Sequence, residues 1–423
     1  MLGKNRYPAW LLALSATQAG ALLVFLNFAG ALPLLQADWG FSNAQAGAIQ
    51  AAGQMGYVFS VLVIASLSDY VDAKQLIVGG ALWAGLSNLA FVAFATDTQS
   101  AILLRALLGM GIAGIYMPGM KLISHHIPAA TRGSALGLFV SAFTLGTAAS
   151  IAISGNLASL LGWRPAFALT SIGPILGALL AARSLPAGSS LPLDPTATAA
   201  PPLAGLLRNR VAWLVILIYM SHAWEVLGLR NWMAAYLAAV RVAAGSSLAV
   251  ATSSGATVSG ITTLFAAGAT YSVATLSDHV SRSRTIIIVM GLGLAATLFL
   301  GFSLPLPWVL VVAASLAAAF LANADSAVIS TTLTEEIPPA YLGRVLAVYS
   351  FLGFTAGSVS SLVFGAALDY ASPRLSPEGG AWLTPWSWAF ATLALGSMAG
   401  FFLALGLQRA LAARHRAQPG DPQ

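Results

Sequence analysis

Cysteine is absent from this chain of 423 residues, which excludes structural disulfides and thiolate metal sites and leaves the redox compartment open. Charge is nearly as scarce. Asp, Glu, Lys and Arg make up 8% of the residues, against ~25% in an ordinary soluble domain, so a water-soluble globular fold is excluded. Acids are the rarer sign, 13 against 19 bases, for a formal net charge of +6. Because the bases are scattered between apolar runs and form no patch, a nucleic-acid partner is excluded and the bases become topology signals. No nucleotide-binding loop, His and Glu metal pattern, or Ser, His and Asp set stands out. Neither an enzyme, a cofactor nor a bound metal is therefore expected. What remains is hydrophobic: 58% of the chain is apolar.

The apolar residues gather into runs long enough to cross a bilayer, which takes ~17–25 residues. They cover 9–34, 45–66, 75–95, 101–124, 133–161, 165–183, 211–239, 254–276, 285–304, 308–332, 344–369 and 385–410. Twelve such runs define an all-α membrane protein whose two ends lie on the same side of the bilayer. Only Arg164, Arg241 and Arg374 fall on the opposite side, Arg105 and Arg230 lie inside runs, and every other Lys and Arg is on the side of the N-terminus. Positive loops face the cytoplasm, so a multi-pass protein of the cytoplasmic (inner) membrane with both termini cytoplasmic is expected. The run from Pro8 to Ala37 is far longer than the ~7–15-residue core of a secretory signal. It is expected to remain as the first span.

Between the sixth and seventh runs, residues 185–208 are rich in Pro, Ala and Ser, the composition of a linker without a fold of its own. The two sides of that linker repeat. Ala9-Trp10-Leu11 matches Ala212-Trp213-Leu214, Leu67-Ser68-Asp69 matches Leu276-Ser277-Asp278, Ile127-Pro128 with Gly133 matches Ile337-Pro338 with Gly343, and Gly155 matches Gly365. These matches keep one order at separations of about 203 to 210 residues. A parallel repeat of this kind implies two pseudo-symmetric six-helix bundles, 1–184 and 209–423, with a site between them near the midplane.

With these features the chain resembles the major facilitator superfamily of transporters over nearly its whole length. The loop after the second span, Ala65-Ser-Leu67-Ser-Asp69-Tyr70-Val-Asp72-Ala73-Lys74, keeps the Leu, the Asp and the final base of that family's signature but lacks both glycines. Its second-half copy is Ala274-Thr-Leu276-Ser-Asp278-His279-Val-Ser-Arg282. Ile127-Pro128-Ala-Ala-Thr-Arg132-Gly133, its echo ending in Gly343-Arg344, and Arg105-Ala-Leu-Leu-Gly109-Met-Gly111 are similar to three further family elements. The resemblance implies alternating access, in which two halves rock about a central cavity. It also implies a gate on the cytoplasmic side built from Asp69, Lys74, Arg132, Asp278, Arg282 and Arg344, with Asp69 meeting the N-terminal end of the eleventh span. The antiporter signature of the fifth span is missing: Leu145-Gly146-Thr-Ala-Ala-Ser-Ile-Ala-Ile-Ser-Gly155-Asn156 stands in its place.

Ionisable residues inside spans cost at least ~2.5 kcal/mol each and mark function. Five fall there: Arg105, His222, Glu225, Arg230 and Asp325. Glu225 is the first candidate proton carrier, expected to face the cleft, with Asp325 second. His222 shares a helical face with Glu225 and is placed to relay a proton to it. Arg230 lies toward the outer boundary as an anion attractor or an anchor, and Arg105, near the external loop, is read either as a coupling residue or as a base that snorkels. Gln18, Asn27, Asn88 and Asn156 are candidates to orient a solute or to bond neighbouring helices.

The reading that follows is a secondary active transporter of a small-molecule substrate, in particular an organic anion, coupled to protons, working as a monomer in the lipid bilayer. An exporter of hydrophobic compounds, lined by Trp83, Trp213, Trp224 and Trp232, is the alternative. A membrane sensor on a transporter scaffold is the third.

Overall fold

The computed structural model describes residues 7–68, 70–187, 209–374 and 383–417. All regular structure among them is helical: α1 (Ala9–Leu22), α2 (Asn27–Trp39), α3 (Asn43–Leu67), α4 (Ala73–Phe94), α5 (Thr98–His126), α6 (Ala129–Leu161), α7 (Trp163–Thr170), α8 (Ile172–Ser184), α9 (Arg210–Ala243), α10 (Leu248–Ser277), α11 (Arg282–Phe302), α12 (Trp308–Ala324), α13 (Ser326–Glu336), α14 (Pro339–Ala371) and α15 (Pro385–Ala417). They form 12 spans long and apolar enough to cross a membrane. The protein is therefore an all-α, multi-pass membrane protein. Residues 188–208, most of the expected linker, lie outside the described residues, as does Asp69.

Three spans are not continuous helices. The first breaks between α1 and α2, the sixth at Ser171 and the tenth at Asp325. In hydrocarbon, a helix that opens must find new partners for its freed backbone groups, and each break here meets a polar side chain. At the first, the Leu26 amide donates to Ser150 Oγ at 3.0 Å, Ser150 Oγ donates to the Leu23 carbonyl at 2.8 Å, and Arg105 Nη1 donates to the Val24 carbonyl at 3.1 Å. No Gly or Pro lies between Leu22 and Asn27, so inserted side chains are the cause of the bend. At the second, Ser171 Oγ accepts from Asn88 Nδ2 at 2.8 Å.

Glycine controls how closely α5 approaches its neighbours. A methyl group at Gly109 would run into the Gly53 carbonyl of α3, and one at Gly111 would sit 2.7 Å from the Gly80 carbonyl of α4. Such contact between backbones is how helices associate where lipid removes the hydrophobic driving force. The N-terminal end of α5 is closed by a capping box: Asp97 accepts from the amides of Gln99 at 2.8 Å and Ser100 at 2.9 Å, and the Ser100 side chain closes back on the Asp97 amide. These bonds, the Ser100 amide first, hold the Asp97 carboxyl below the usual aspartate value.

By compactness the chain falls into two units, residues 1–197 with 231–264, and residues 198–230 with 265–423. α9 contributes to both. In the first unit Leu26, Ile151, Ala234 and Ala256 pack together. In the second, a larger core gathers Ile216, Ile286, Val328, Leu333, Val345 and Leu407.

Candidate functional site

In the first unit the polar residues converge on Arg105. The residue is 2% exposed, so it does not snorkel to the external loop. Two side-chain nitrogens are used: Nη1 on the Val24 carbonyl, and Nη2 on Asn27 Oδ1 at 2.8 Å. The guanidinium lies 5.1 Å from the Phe28 ring, 5.2 Å from Phe91 and 5.7 Å from Phe167. Aromatic faces of this kind soften the cost of a buried cation. Among the described residues Arg105 has no ion pair, and its Nε has no partner.

Asn27 and Asn88 extend the network. Asn27 Nδ2 donates to Asn88 Oδ1 at 3.0 Å and to Thr170 Oγ1 at 3.4 Å, and Asn88 Nδ2 donates to the Phe167 carbonyl at 2.8 Å. One arginine and two asparagines thus tie the broken first span to α4, α5 and α7. Asn27 and Asn88 spend their amides on helix joining. Asn156 does the same between α6 and α10, donating to Thr257 Oγ1 at 2.8 Å and accepting from Ser253 at 2.6 Å. Gln18 is different, fully buried with both amide atoms unpartnered.

On α3, Gln50 and Gln54, one turn apart, are both buried and carry unpartnered amide atoms. Together with Arg105 they line a small recess that also touches Phe28 and Asn231. Both glutamines sit in an alanine- and glycine-rich run whose hydropathy marks only a span. The signal that was there is their i, i+4 spacing, which places two amides on one helical face.

In the second unit the seventh and tenth spans meet through a histidine and an aspartate. His222 Nδ1 and Asp325 Oδ1 are 2.7 Å apart, both buried. The tenth span breaks at Asp325, whose side chain makes no helix cap and is given to the histidine. A polar ladder continues from His222. The Tyr219 ring stacks on His222 at 5.7 Å and on Tyr349 at 3.6 Å, and the Tyr349 hydroxyl is 3.0 Å from Ser330 Oγ.

Glu225 makes no hydrogen bond with His222, whose Nδ1 meets Asp325. Glu225 accepts from Thr297 Oγ1 at 2.6 Å and faces Gly293, where a methyl group would lie 3.6 Å from the carboxylate. The acid therefore turns toward α11 and is 2% exposed. The reason is local: Gly293 and Thr297 are one turn apart on α11 and form a seat of small and hydroxylated residues. Arg230 is half-buried and makes no ion pair with Glu225 or any other described acid.

Of the expected gating residues, the structure brings Asp278 and Arg282 together and adds Glu335. Arg282 Nη1 donates to Asp278 at 2.7 Å, while Nη2 and Nε donate to the two Glu335 oxygens at 2.8 and 3.1 Å. The guanidinium is thus held between Asp278, in the turn that follows α10, and Glu335 of α13, and its pair with Glu335 is the strong, bidentate form. Arg132 Nε meets the Ile127 carbonyl at 3.3 Å, in its own turn, and Lys74 makes no ion pair among the described residues. Lys121, close by, donates to the Ser68 carbonyl. The tryptophans hold separate places: Trp83 Nε1 donates to the Leu107 carbonyl, Trp224 Nε1 to the Thr392 carbonyl, both at 2.8 Å, and Trp232 is buried.

Twelve apolar spans with Arg105, His222, Glu225 and Asp325 buried among them define a polytopic membrane protein with polar groups in its interior. The chain matches the family model of the Major Facilitator Superfamily over residues 14–361, and it belongs to that family. Among curated proteins it is similar to the 4-hydroxybenzoate transporter PcaK of Pseudomonas aeruginosa, 29% identical over 154 residues, 36% of this chain and 34% of that one. It is also similar to the sodium-dependent phosphate transport protein 1 of the Arabidopsis thaliana chloroplast, 26% identical over 228 residues, 50% of this chain and 44% of that one. These matches thus cover less than half the length of each relative. Among solved structures, a bacterial homologue of the human lysosomal transporter Spinster, inward-facing and unoccupied, has a TM-score of 0.73 at 18% identity, covering 95% of both chains. A D-xylose-proton symporter has a TM-score of 0.71 at 18% identity, covering 94% of this chain and 96% of that one. At these identities the structures speak for the fold.

Proposed function

We propose that this chain is a secondary active transporter of the cytoplasmic membrane, with both termini cytoplasmic, that moves a small organic anion by alternating access of two six-helix halves. The observation that carries the anion is Arg105. A buried ion costs several kcal/mol unless it is paired, and this guanidinium is held by neutral oxygens and aromatic rings with no acid beside it. Its counter-charge is the solute. The partial likeness to carriers named for 4-hydroxybenzoate and for phosphate, both anions, supports the same class.

Proton coupling completes the proposal. His222 with Asp325, and separately Glu225, are the buried groups able to take up and release a proton. The Asp278, Arg282 and Glu335 cluster is the cytoplasmic latch of the second half, opening and closing with the transport cycle.

The test is uptake in proteoliposomes that enclose a pH-sensitive dye. Adding 4-hydroxybenzoate or a related monocarboxylate to wild-type vesicles should move both solute and protons. Asp325→Asn and Glu225→Gln should each slow or abolish proton movement. Solute movement with no pH change, at the same rate in both variants, would end the coupling claim, and no uptake of any organic anion would end the substrate claim.

A further inference from the structure

The recess between α3 and Arg105 is lined by polar side chains that the proton-coupling groups do not involve. Its walls include Gln50 at 8% exposure, Gln54 at 5% and Arg105 at 2%. Four polar atoms on those side chains are buried without a partner: Gln50 Nε2 and Oε1, Gln54 Oε1 and Arg105 Nε. A buried polar atom left unmatched costs about 1–3 kcal/mol, and the large majority of buried side-chain polar atoms in proteins are matched, by protein or by ordered water. Four such atoms on residues that line one recess, next to a guanidinium with no acid beside it, mark a place that a polar guest can fill.

The charge and the donor set specify what fits. Arg105 Nε–H and the Gln50 amide N–H point to an acceptor carrying negative charge, because the guanidinium already has its other bonds to the Val24 carbonyl and Asn27. Gln54 has no partner to fix which way its amide lies, so a half turn of its last torsion presents NH2 in place of the oxygen. The recess has a free volume of about 20 Å³. A water needs about 10–15 Å³ on that measure, so the space takes one or two oxygen atoms. That takes the two-oxygen edge of a planar carboxylate whose body lies against the Phe25 and Phe28 rings, where the further oxygens of a phosphate or sulfate would meet no donor. The rings of Phe25 and Phe28 on the same walls suit an apolar or aromatic body behind the carboxylate.

We propose that Gln50, Gln54 and Arg105 Nε form the subsite for the carboxylate of a monocarboxylate solute, and that this subsite selects carboxylates against tetrahedral anions. The inference rests on the reading of the chain as an organic-anion transporter and adds the docking point and the solute class.

Thermal unfolding of the purified full-length protein in detergent, followed by tryptophan fluorescence at constant ionic strength, tests it with acetate, benzoate and 4-hydroxybenzoate against phosphate and chloride. At least one monocarboxylate should raise the unfolding temperature in a saturable way, while phosphate and chloride do not. Gln50→Leu should weaken that effect at least about tenfold, the loss of a hydrogen bond to a charged group. Gln50→Glu should raise the unfolding temperature without any ligand, by supplying Arg105 with an internal acid, and should abolish the ligand-dependent rise. A structural role for Gln50 would not produce that pair of changes. The inference is overturned if no monocarboxylate shifts the wild type, if phosphate or chloride shifts it as much, or if Gln50→Glu keeps the ligand effect. Proteoliposome uptake separates the two levels. Wild-type rates in Gln50→Leu and Gln50→Glu would remove the subsite and leave the transporter, whereas a wild type that carries no organic anion would remove the transporter first.

Discussion

His222 Nδ1 stands 2.7 Å from Asp325 Oδ1, a contact between residues 103 positions apart in sequence. The aspartate sits where the tenth span changes from α12 to α13, so the pair fixes the bend of one span against the middle of another. Removing one partner of such a buried pair is expected to cost about 3–5 kcal/mol. Asp325→Ala and His222→Ala should each lose that much in denaturant unfolding, and the double variant should lose less than the sum by at least about 1 kcal/mol. Additive losses would show that the two side chains do not support each other.

Ser150 is expected to be worth more than a serine on a span usually is. Its hydroxyl serves both the Leu26 amide and the Leu23 carbonyl, and Ser150→Ala leaves both without it. A loss of about 1–3 kcal/mol follows, with faster amide hydrogen exchange confined to residues 23–27. Unchanged exchange at Leu26 would contradict the assignment.

The α3 and α5 contact has no room for a side chain at Gly109. Gly109→Ala drives a methyl group into the Gly53 carbonyl, and overpacking of this kind costs about 1–3 kcal/mol. Gly133→Ala, where nothing lies within 4 Å of the added methyl, is the control and should unfold at the wild-type temperature. Equal behaviour of the two variants would refute the close approach.

Asp97 gives a pH dependence with a definite sign. Its carboxyl is held below the usual aspartate value by the Ser100 amide, so its contribution to stability is present above that usual value, near pH ~3.9. It is lost as pH falls through the lower, folded value. Asp97→Ala should therefore unfold at a lower temperature than wild type at neutral pH, and the gap should close in the acid range. A gap that stays constant down to the folded value would rule out the charged cap.

The twelve spans could be read from hydropathy because a bilayer demands long apolar runs whatever their partners. Asp278 and Arg282 were also readable, since they stand in the second-half copy of the loop signature and are close enough in sequence to meet across one short turn. Glu335 and the Asp325 partner of His222 were not, because each comes from a distant span and one sequence carries no record of which spans touch. The recess was hidden for a related reason. Gln50 and Gln54 look like two neutral residues in an apolar run until Arg105 is brought opposite them. Nor could the break at residues 23–26 be foreseen, as its agents belong to the fourth and fifth spans.

That break has a consequence for biosynthesis. The first span leaves the ribosome well before Arg105 and Ser150 exist, and a lone segment cannot hold open carbonyls and amides in hydrocarbon. Its stretch around Val24 must therefore enter the bilayer as an unbroken helix and open after the fourth and fifth spans have arrived. Maturation of the N-terminal region is thus a delayed event, timed by the synthesis of residues about eighty to one hundred and thirty positions downstream.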